Sequence, residues 1–205
     1  MIIEVKNSIK KIDYAESMRI LEKRVDDVFL GNKPELIWVL EHNHVYTAGT
    51  SAKDYDLLDK SINVIKTNRG GKYTYHGPGQ KVVYFVIDLN KRGKDIRKFV
   101  TKIENCIIGV LAEYKIQSFP DKKNIGIWVN NNKKVMKIAA IGIKVKKWIA
   151  YHGFALNVCN DLSKYKKIIP CGVKNKDVTN LKELTTINYN NIEKTIIKKF
   201  LNTFP

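Results

Sequence analysis

The chain has 205 residues, of which 44% are hydrophobic and 28% charged, a composition typical of a globular protein. No segment approaches the roughly eighteen consecutive apolar residues that a membrane span needs. The N-terminus lacks the apolar core of a signal peptide. We therefore expect one cytoplasmic domain over residues 1–205, with no membrane partner.

The net charge is +17, from 37 basic and 20 acidic side chains. A charge of this size suits nucleic acid, an anionic surface or an acidic protein partner. Enrichment in Lys, Asn and Ile along the whole chain offers a simpler explanation, compositional drift with solvated lysines. Because the chain has neither an RNP-like aromatic motif nor a paired-cysteine zinc site, we expect no nucleic-acid partner and no metal.

The first half of the chain predicts four strands and one helix. Short strands are expected at residues 2–5, 36–40 and 64–67, and a longer apolar strand at 81–89. Apolar residues at spacings of three and four predict an amphipathic helix between the first two strands, through Tyr14, Met18, Leu21, Val25 and Val28.

The second half predicts two more helices and further strands. Strands are expected at residues 125–129 and 135–143, around an asparagine turn at 130–132, and at 148–151 and 154–158. The helical stripes consist of Ile96, Phe99, Val100, Ile103, Ile107, Val110 and Leu111, and of Ile192, Ile196, Ile197, Phe200 and Leu201. Because strands outnumber helices and do not alternate with them, we predict an α+β fold with a mixed sheet flanked by helices.

The three cysteines differ in their surroundings. An odd count without a CxxC pair argues against a disulfide framework. Cys106 falls on a helical apolar stripe and Cys159 follows an apolar strand, so both are expected to be packing residues. Cys171 stands between Pro170 and Gly172, at a constrained turn where a thiol can be exposed as a nucleophile. A nearby cation would favour its thiolate form.

A glycine-rich segment is the most unusual feature of the sequence. Glycine lets the backbone approach a ligand closely and adopt positive φ, and Arg69 and His76 could anchor polar groups beside a tyrosine-lined wall. The alternative is a hairpin loop with incidental polar residues. The segment is neither a Walker loop nor a dinucleotide-binding loop. It reads Arg69, Gly70, Gly71, Lys72, Tyr73, Thr74, Tyr75, His76, Gly77, Pro78, Gly79, Gln80.

Lys137 opens a run of small and apolar residues, KIAAIGI at 137–143. If this run is a core strand, the lysine is partly desolvated. The alternative is a lysine at the end of a strand that reaches solvent. Position alone does not distinguish Lys137, because other lysines lie close by at 133, 134, 144, 146 and 147.

A third segment, YHGFALN, occupies residues 151–157. Gly153 follows His152 and would allow backbone N–H groups to face a bound carbonyl. A histidine that is packed in the core or hydrogen-bonded for structural reasons explains the pattern equally.

Together, RGGKYTYHGPGQ, KIAAIG, YHGFALN and PCG resemble segments of the octanoyl-(acyl carrier protein)–protein N-octanoyltransferases, which begin lipoate biosynthesis. The resemblance covers residues 39–181, with all segments in the expected order. It implies an α/β fold shared with biotin and lipoate protein ligases. It also implies Cys171 as the acyl-thioester nucleophile and Lys137 as its partner. The matching acyl-site residues are Arg69, Gly70, Gly71, Lys72, Tyr73, Thr74, Tyr75, His76, Ala140, Ile141, Gly142, Gly153, Phe154 and Ala155.

The match is weaker at some positions. Thr47, Gly49 and Ser51 resemble a further family stretch less closely. Lys72 and Tyr73 stand where glutamine or aspartate and a small apolar residue are commoner, which puts the acyl chain-length preference in doubt.

The resemblance also implies the partners. The donor would be octanoyl-acyl carrier protein, and the acceptors lipoyl domains of 2-oxoacid dehydrogenase E2 subunits and the glycine cleavage H protein. No cofactor is implied, since the thioester is already activated, and a monomer is expected. The nearest rival is an ATP-dependent lipoate or biotin ligase on the same fold, although Arg69-Gly70-Gly71-Lys72 is a poor version of the biotin ligase loop. A basic nucleic-acid-binding module is the rival from another class, and it rests on charge alone.

Overall fold

A computed structural model describes residues 2–131, 134–169 and 177–205. Their strands form two sheets. The strands are β1 Ile3–Asn7, β2 Glu35–Leu40, β3 Val45–Ala48, β4 Val64–Lys66, β5 Tyr73–His76, β6 Gln80–Asp88, β7 Ser118–Pro120, β8 Ile127–Asn131, β9 Lys134–Lys146 and β10 Ile149–Asn157, and the helices are α1 Tyr14–Phe29, α2 Ile96–Ala112 and α3 Ile192–Thr203.

The larger sheet has seven strands in the order β1-β2-β6-β10-β9-β8-β7. Strands β1 and β2 pair in parallel, and every other neighbouring pair in this sheet is antiparallel. The smaller sheet has the order β4-β3-β5, with β4 parallel and β5 antiparallel to β3. The sheets are therefore mixed and antiparallel-rich, as the irregular alternation of strands and helices predicts.

The two long helices begin at aspartate caps. Asp13 accepts a hydrogen bond from the Glu16 N–H at 3.0 Å, and Asp95 accepts one from the Lys98 N–H at 2.9 Å. Each cap satisfies an N–H group that has no partner inside the helix. The amphipathic faces of these helices then pack on opposite sides of the larger sheet.

The larger sheet separates two cores because side chains alternate along each strand. Ile37 and Val39 of β2 join the core covered by α2 and α3, whereas Leu36, Trp38 and Leu40 join the core under α1. A third, smaller core lies under β3 and β5 and includes Tyr75, Tyr165 and Ile168. The alternation in the sequence thus predicts which face each side chain covers.

The predicted α+β class and the three predicted helices are confirmed, but several strands differ from expectation. The prediction missed β3 and β7, and it treated Tyr73–His76 as loop, whereas these residues form β5. The strands expected at 148–151 and 154–158 are one continuous strand, β10. Trp148 belongs to a two-residue turn with Lys147, where both residues have positive φ, 53° and 63°. Positive φ at both central residues is typical of two-residue hairpin turns, because the backbone twist of such a turn matches the right-handed twist of the strands that it joins.

The cysteine predictions had mixed outcomes. Cys106 is 2% exposed and belongs to the core under α2, as predicted, and burial raises the pKa of its thiol to about 11. The prediction for Cys159 was wrong, because its side chain is exposed. It follows directly on Val158, which is buried, so the switch from interior to surface falls one residue earlier than expected.

The part of the chain that the structure describes contains neither a membrane-spanning helix nor a cluster of metal-binding side chains. No described helix is long and apolar enough to cross a membrane. Among the same residues, no group of three or more His, Cys, Asp or Glu side chains is placed to hold a metal ion.

Candidate active site

A cavity of about 750 Å³ has the glycine-rich segment on one side and the paired strands β9 and β10 on the other. It is lined by predicted site residues from three separate parts of the chain. These are Arg69, Gly70, Gly71, Lys72, Tyr73, Thr74, His76, Lys137, Ala140, Ile141, Gly142, Gly153, Phe154 and Ala155. The structure therefore brings together the segments that the sequence pattern singled out.

Tyr75 is the exception among the predicted cavity residues within the described ranges. Its ring is fully buried in the small core, and its hydroxyl lies 2.6 Å from Nδ1 of His44. Its neighbours Thr74 and His76 lie on the opposite face of β5 and line the cavity, and Tyr73 packs against the small core but also reaches the cavity. Tyr75 supports the wall from behind.

The floor of the cavity is a patch of small residues on two adjacent strands. Gly142 lies directly opposite Gly153, and Ala140 lies opposite Ala155. Larger side chains here would fill the space that the cavity occupies. The small run in KIAAIG and the Gly-Phe-Ala run are thus explained by this floor.

The glycine-rich segment passes directly over Gly142. The Gly70 N–H donates to the Ile143 carbonyl at 3.3 Å, and a Cβ added to Gly142 would lie 3.2 Å from the Gly70 carbonyl oxygen. The absence of a side chain at position 142 therefore lets this segment approach the floor.

Arg69 holds the same segment in place. Its guanidinium donates to the Thr47 hydroxyl and carbonyl at 2.7 and 3.0 Å, and to the carbonyls of Gly70 and Lys72 at 3.0 and 2.8 Å. The residue is 8% exposed. The buried Arg69 side chain thus connects β3 to the glycine-rich segment through hydrogen bonds to both.

The stretch around residue 47 takes part in this arrangement, as its weaker resemblance suggests. Thr47 is the partner of Arg69, and Ser51 lines the cavity. A Cβ on Gly49 would lie only 2.3 Å from the Gly71 carbonyl oxygen, so only glycine allows this contact.

Lys137 is buried and lines the cavity, with 4% of its surface exposed. Its ammonium group donates to the Ile125 carbonyl at 2.7 Å and lies 4.8 Å from the centre of the Trp128 ring. A Cβ on Gly126 would lie 2.7 Å from both Cε and Nζ of Lys137. The alternative of a strand-end lysine that reaches solvent is therefore wrong.

The backbone of Lys137 fixes the chain that follows the Pro-Cys-Gly segment. Its N–H donates to the Asp177 carbonyl at 2.9 Å, and its carbonyl accepts from the Thr179 N–H at 2.9 Å. On the other side of that segment, the Ile169 N–H donates to the Asp56 carbonyl at 2.7 Å. Cys171 itself lies outside the described residues, so its nucleophilic role stays a prediction.

His76 lines the cavity, and the ring of His42 packs against it, with ring centroids 5.8 Å apart. His76 is buried, and its Nδ1–H donates to Oε1 of Gln80 at 2.7 Å. Burial, then repulsion from His42, lowers the pKa of His76 to about 3. His42 donates to the Ile12 carbonyl at 2.7 Å and lies 2.9 Å from the Tyr84 hydroxyl, and burial lowers its pKa as well. Both imidazoles are therefore uncharged at neutral pH.

His152 is the packed and hydrogen-bonded histidine of the second interpretation offered by the sequence. It is 2% exposed and lies 2.7 Å from Oδ1 of Asn68 through Nε2, so it is buried and hydrogen-bonded. It also lines the cavity. Desolvation, followed by the charges of Arg69 and Lys144, lowers its pKa to about 3.

The charges around the cavity have one sign. Among the described residues that line it there is no Asp or Glu, while five are cationic: Arg69, Lys72, Lys123, Lys137 and Lys144. Such a lining produces a positive potential that attracts anionic ligands and acidic partners.

The unusual Lys72 has a buried partner. Its Nζ lies 3.0 Å from Oδ2 of Asp56, which is only 1% exposed. Asp56 belongs to a short 3-10 helix, Asp54–Asp56, which also receives the hydrogen bond from Ile169. Lys72 therefore ties the cavity wall to the chain that leads to Cys171.

Residues 13–201 of this chain match the sequence-family model described as the lipoyl protein ligase A/B catalytic domain. The chain belongs to this family. An octanoyltransferase of Anaplasma phagocytophilum is 43% identical to it over the full length of both chains. Another, from Wolbachia sp. subsp. Brugia malayi, is 47% identical over 84% of this chain and 85% of the relative.

Solved structures show the same fold. A bipartite lipoate protein ligase from Thermoplasma acidophilum matches with a TM-score of 0.72 at 13% identity, over 98% of this chain and 84% of the other. A lipoate-protein ligase A bound with ATP matches with a TM-score of 0.71 at 15% identity, over 98% and 85%. These likenesses establish the lipoate ligase-like architecture that the sequence segments implied.

Several residues of the site were missed at the sequence level. Gly126 makes room for the lysine, Asn68 holds His152, and Asp56 pairs with Lys72. Tyr14 of α1 also lines the cavity. Gly126, at the entry to a predicted strand, carried a usable signal, because glycine at such a position often marks close backbone approach. The other three lie far from their partners in sequence.

Proposed function

We propose that this acyltransferase moves an octanoyl group from an acyl carrier protein to a lysine of a lipoyl domain, through a thioester on Cys171. The observation that carries the proposal is the buried ammonium group of Lys137, whose backbone also holds Asp177 and Thr179 just after the Pro-Cys-Gly segment. The octanoyltransferase names of the relatives point to the same reaction. Residues 1–205 act as one catalytic domain, and we infer a monomer.

The first half-reaction exchanges one thioester for another. Sγ of Cys171 attacks the acyl carbonyl, the bond from that carbon to the carrier sulfur breaks, and the thiol proton ends on the carrier sulfur. A positive Lys137 beside the sulfur favours the thiolate, which is the nucleophilic form. Because the donor is already a thioester, this step needs no ATP.

The second half-reaction forms the amide. The neutral amine of the acceptor lysine attacks the carbonyl, the bond to Sγ breaks, and one amine proton returns to the sulfur. We infer that Lys137 relays this proton: its ammonium group gives a proton to the departing sulfur and takes up the one that the nitrogen loses as the amide forms. The enzyme ends unchanged, as ping-pong transfer requires.

Backbone N–H groups near Gly142 are better candidates for the oxyanion site than those of Gly153. Gly153 lies between Tyr84 and Gly142 on a strand with neighbours on both sides, so its backbone is occupied by the sheet. Strand β9 pairs with β8 only as far as Ala139. Beyond that residue its outer edge borders the cavity, where a donor can face the developing negative charge.

We infer that both protein partners are acidic. The cavity lining carries only positive charge among its described ionised residues, and the net charge of the chain is +17. This field would accelerate the approach of an acidic carrier. The donor is octanoyl-acyl carrier protein. The acceptors are lipoyl domains of 2-oxoacid dehydrogenase E2 subunits and the glycine cleavage H protein, and we place the exchange in the cytoplasm.

The second candidate is ATP-dependent ligation of free lipoate, favoured by the fold shared with a ligase bound with ATP. The two are separated by supplying a lipoyl domain with either octanoyl-acyl carrier protein alone or octanoic acid with ATP and Mg²⁺. We expect octanoylated domain only from the carrier thioester, detected as a mass increase. Modification that requires ATP would establish the ligase instead.

A further inference from the structure

Two large apolar side chains are exposed together on one short segment of the chain. Tyr55 and Leu58 are 63% and 60% exposed. The two residues between them face inward, because Asp56 is buried and Leu57 packs against the small core. Tyr55 and Leu58 therefore lie on the outer side of the segment. A single exposed apolar residue needs no explanation, but a tyrosine beside a second apolar side chain is typical of the centre of a protein interface.

Backbone hydrogen bonds attach this segment to the chain that leads to Cys171. The Leu58 N–H donates to the Lys167 carbonyl at 3.0 Å, and the Ile169 N–H donates to the Asp56 carbonyl at 2.7 Å. Ile169 is two residues before Cys171 in the sequence. The two exposed side chains are therefore presented beside the part of the chain that carries the proposed nucleophile.

Tyr55 also adjoins the wall of the cavity. Nζ of Lys72, which lines the cavity, lies 5.9 Å from the centre of the Tyr55 ring, and Nζ of Lys53 lies 5.6 Å from it. Ammonium groups at such distances attract the ring electrostatically and favour one position of it. A side chain that is already ordered loses less freedom when a partner binds.

The charges around Tyr55 and Leu58 suit an acidic partner. Lys53, Lys60 and Lys166 are exposed and make no ion pair within the described residues, and Asp54 is the one carboxylate of this segment without an ion pair there. The other two aspartates of the segment pair with lysines. An apolar centre with a cationic rim complements an acidic surface that also carries apolar side chains.

The position of this surface favours the acceptor over the donor. The amine of the acceptor lysine stands at the end of a side chain of only four methylene groups. The body of the acceptor domain must therefore approach Cys171 closely and cover the surface beside Ile169. The donor holds its acyl group on a longer prosthetic arm, so its body can dock further from the nucleophile.

We propose that the surface formed by Lys53, Tyr55, Leu58, Lys60 and Lys166 is the docking site of the acceptor, an acidic lipoyl domain, with the two apolar side chains at its centre. The proposal rests on the proposed function and deepens it. The carrier that donates the acyl group docks elsewhere, so the two half-reactions depend on different parts of the protein surface.

The test measures the two half-reactions separately in the double variant Tyr55→Ser/Leu58→Ser. Acylation by octanoyl-acyl carrier protein is followed by intact mass, and the acylated protein is then mixed with a lipoyl domain or with the small amine Nα-acetyl-lysine amide. We expect the second-order rate constant for the domain to fall at least about tenfold, because truncating the central side chains of an interface costs most of its affinity. Acylation and transfer to the small amine, which needs no docking, should keep their native rates.

Phe29→Ser/Leu30→Ser is the matched control. These side chains are 44% and 67% exposed and lie outside the cavity lining, so all three rates should stay native. A native rate constant for the lipoyl domain in the folded Tyr55→Ser/Leu58→Ser variant would overturn the proposal. An equal fall in acylation by the carrier would also overturn it, since the surface would then not be specific to the acceptor.

Lys166→Glu provides a second variant in case the double variant does not fold. It should lower the rate constant for the lipoyl domain at low ionic strength and have less effect at high ionic strength, while acylation by the carrier is unchanged. A native rate constant at low ionic strength would contradict a cationic rim around the docking site. Failure of the native protein to transfer octanoyl from the carrier to the domain would instead refute the proposed function.

Discussion

The ammonium group of Lys72 lies 3.0 Å from the carboxylate of Asp56, which is almost completely buried. Neither Asp56 oxygen has a hydrogen-bond partner in the described part of the chain, so this cation is what compensates the buried charge there. One of the two residues by which the glycine-rich segment departs from its family pattern, Lys72, is therefore part of a buried ion pair. Through Asp56 and Ile169 it also reaches the chain just before Cys171.

Removing the cation should destabilise the fold. Lys72→Gln leaves the Asp56 carboxylate buried without compensation, and we expect a loss of about 2–3 kcal/mol in the free energy of unfolding. This is below the 3–5 kcal/mol typical of a fully buried pair, because Lys72 is partly exposed. Asp56→Asn in the same background should restore part of the loss. Urea unfolding of both single variants and the double variant measures the coupling.

The control for this experiment is Lys134→Gln. Lys134 lies 3.9 Å from Asp177, and both side chains are well exposed, at 74% and 64%. An exposed pair of this kind contributes little, so stability should be unchanged. Additive effects in the Lys72–Asp56 cycle would contradict the buried-pair account.

The floor of the cavity predicts different outcomes at its two glycines. A Cβ at Gly142 would lie 3.2 Å from the Gly70 carbonyl oxygen, so Gly142→Ala should displace the glycine-rich segment slightly and lower kcat/KM for octanoyl transfer about tenfold in a folded protein. A Cβ at Gly153 would lie 1.8 Å from the Val83 carbonyl oxygen. Gly153→Ala should therefore fail to fold stably. Circular dichroism and steady-state kinetics separate the two effects.

Gly109 of α2 provides the matched control for these substitutions. Its nearest neighbour would lie 3.7 Å from an added Cβ, an ordinary contact. Gly109→Ala should leave activity unchanged and stabilise the helix by about 0.5–1 kcal/mol. Unaltered transfer by a folded Gly142→Ala variant would show that the contact between Gly70 and Gly142 does not affect the path of the substrate.

The buried histidines predict an acid-sensitive fold. His76 and His152 have pKa values of about 3 in the folded protein, against 6.5 for an ordinary histidine. Between these values the unfolded chain binds more protons than the folded one, so the free energy of unfolding falls as pH falls from 6.5 towards 3. Each group contributes up to ~1.4 kcal/mol per pH unit. Urea unfolding between pH 7 and 4.5 measures the slope.

Replacing one of these histidines should reduce the slope. His152→Asn is suitable, because asparagine tolerates positive φ better than most residues. Its stability should vary less between pH 6.5 and 4.5 than that of the native protein. An identical slope in both proteins would mean that His152 takes up its proton in the folded state.

The effect of Lys137 on the acylation rate should be largest at neutral pH, where the Cys171 thiolate depends on a nearby positive charge. Lys137→Gln removes the positive charge that favours the thiolate, so acylation should slow strongly at neutral pH and less at alkaline pH, where the thiolate forms without help. Lys137→Arg should not restore activity, because Gly126 and Trp128 leave space for a narrow ammonium group only. Single-turnover acylation rates between pH 6.5 and 9.5 provide the comparison. An equal loss at every pH would exclude the electrostatic role.

The sequence predicts the helices and central strands well because period-3.6 and period-2 apolar patterns reflect burial directly. Strands β3 and β7 escaped prediction since they are short and lack a long apolar run. The turn at Lys147–Trp148 escaped because its positive φ values occur without glycine or asparagine. These features are imposed by the surrounding sheet and leave little trace in local composition.

In the site too, some features could be predicted from the local sequence and others arise only from the tertiary fold. Segments with glycine or small residues indicated the floor and the covering loop, because those residue types are required by close backbone approach. The burial of Lys137 did not follow from its own neighbourhood, which is rich in other lysines. It results from Gly126 and Trp128 on the adjacent strand region. Likewise, the Asn68–His152 and Asp56–Lys72 pairs join residues that only the tertiary fold brings together.

The central claim is that Cys171 carries the acyl group, and intact-mass analysis after incubation with octanoyl-acyl carrier protein tests it most directly. We predict one octanoyl adduct that hydroxylamine removes, that is absent from Cys171→Ala, and that persists in Cys159→Ala, whose thiol is exposed but has no assigned role. A hydroxylamine-sensitive adduct that remains in Cys171→Ala would contradict the account.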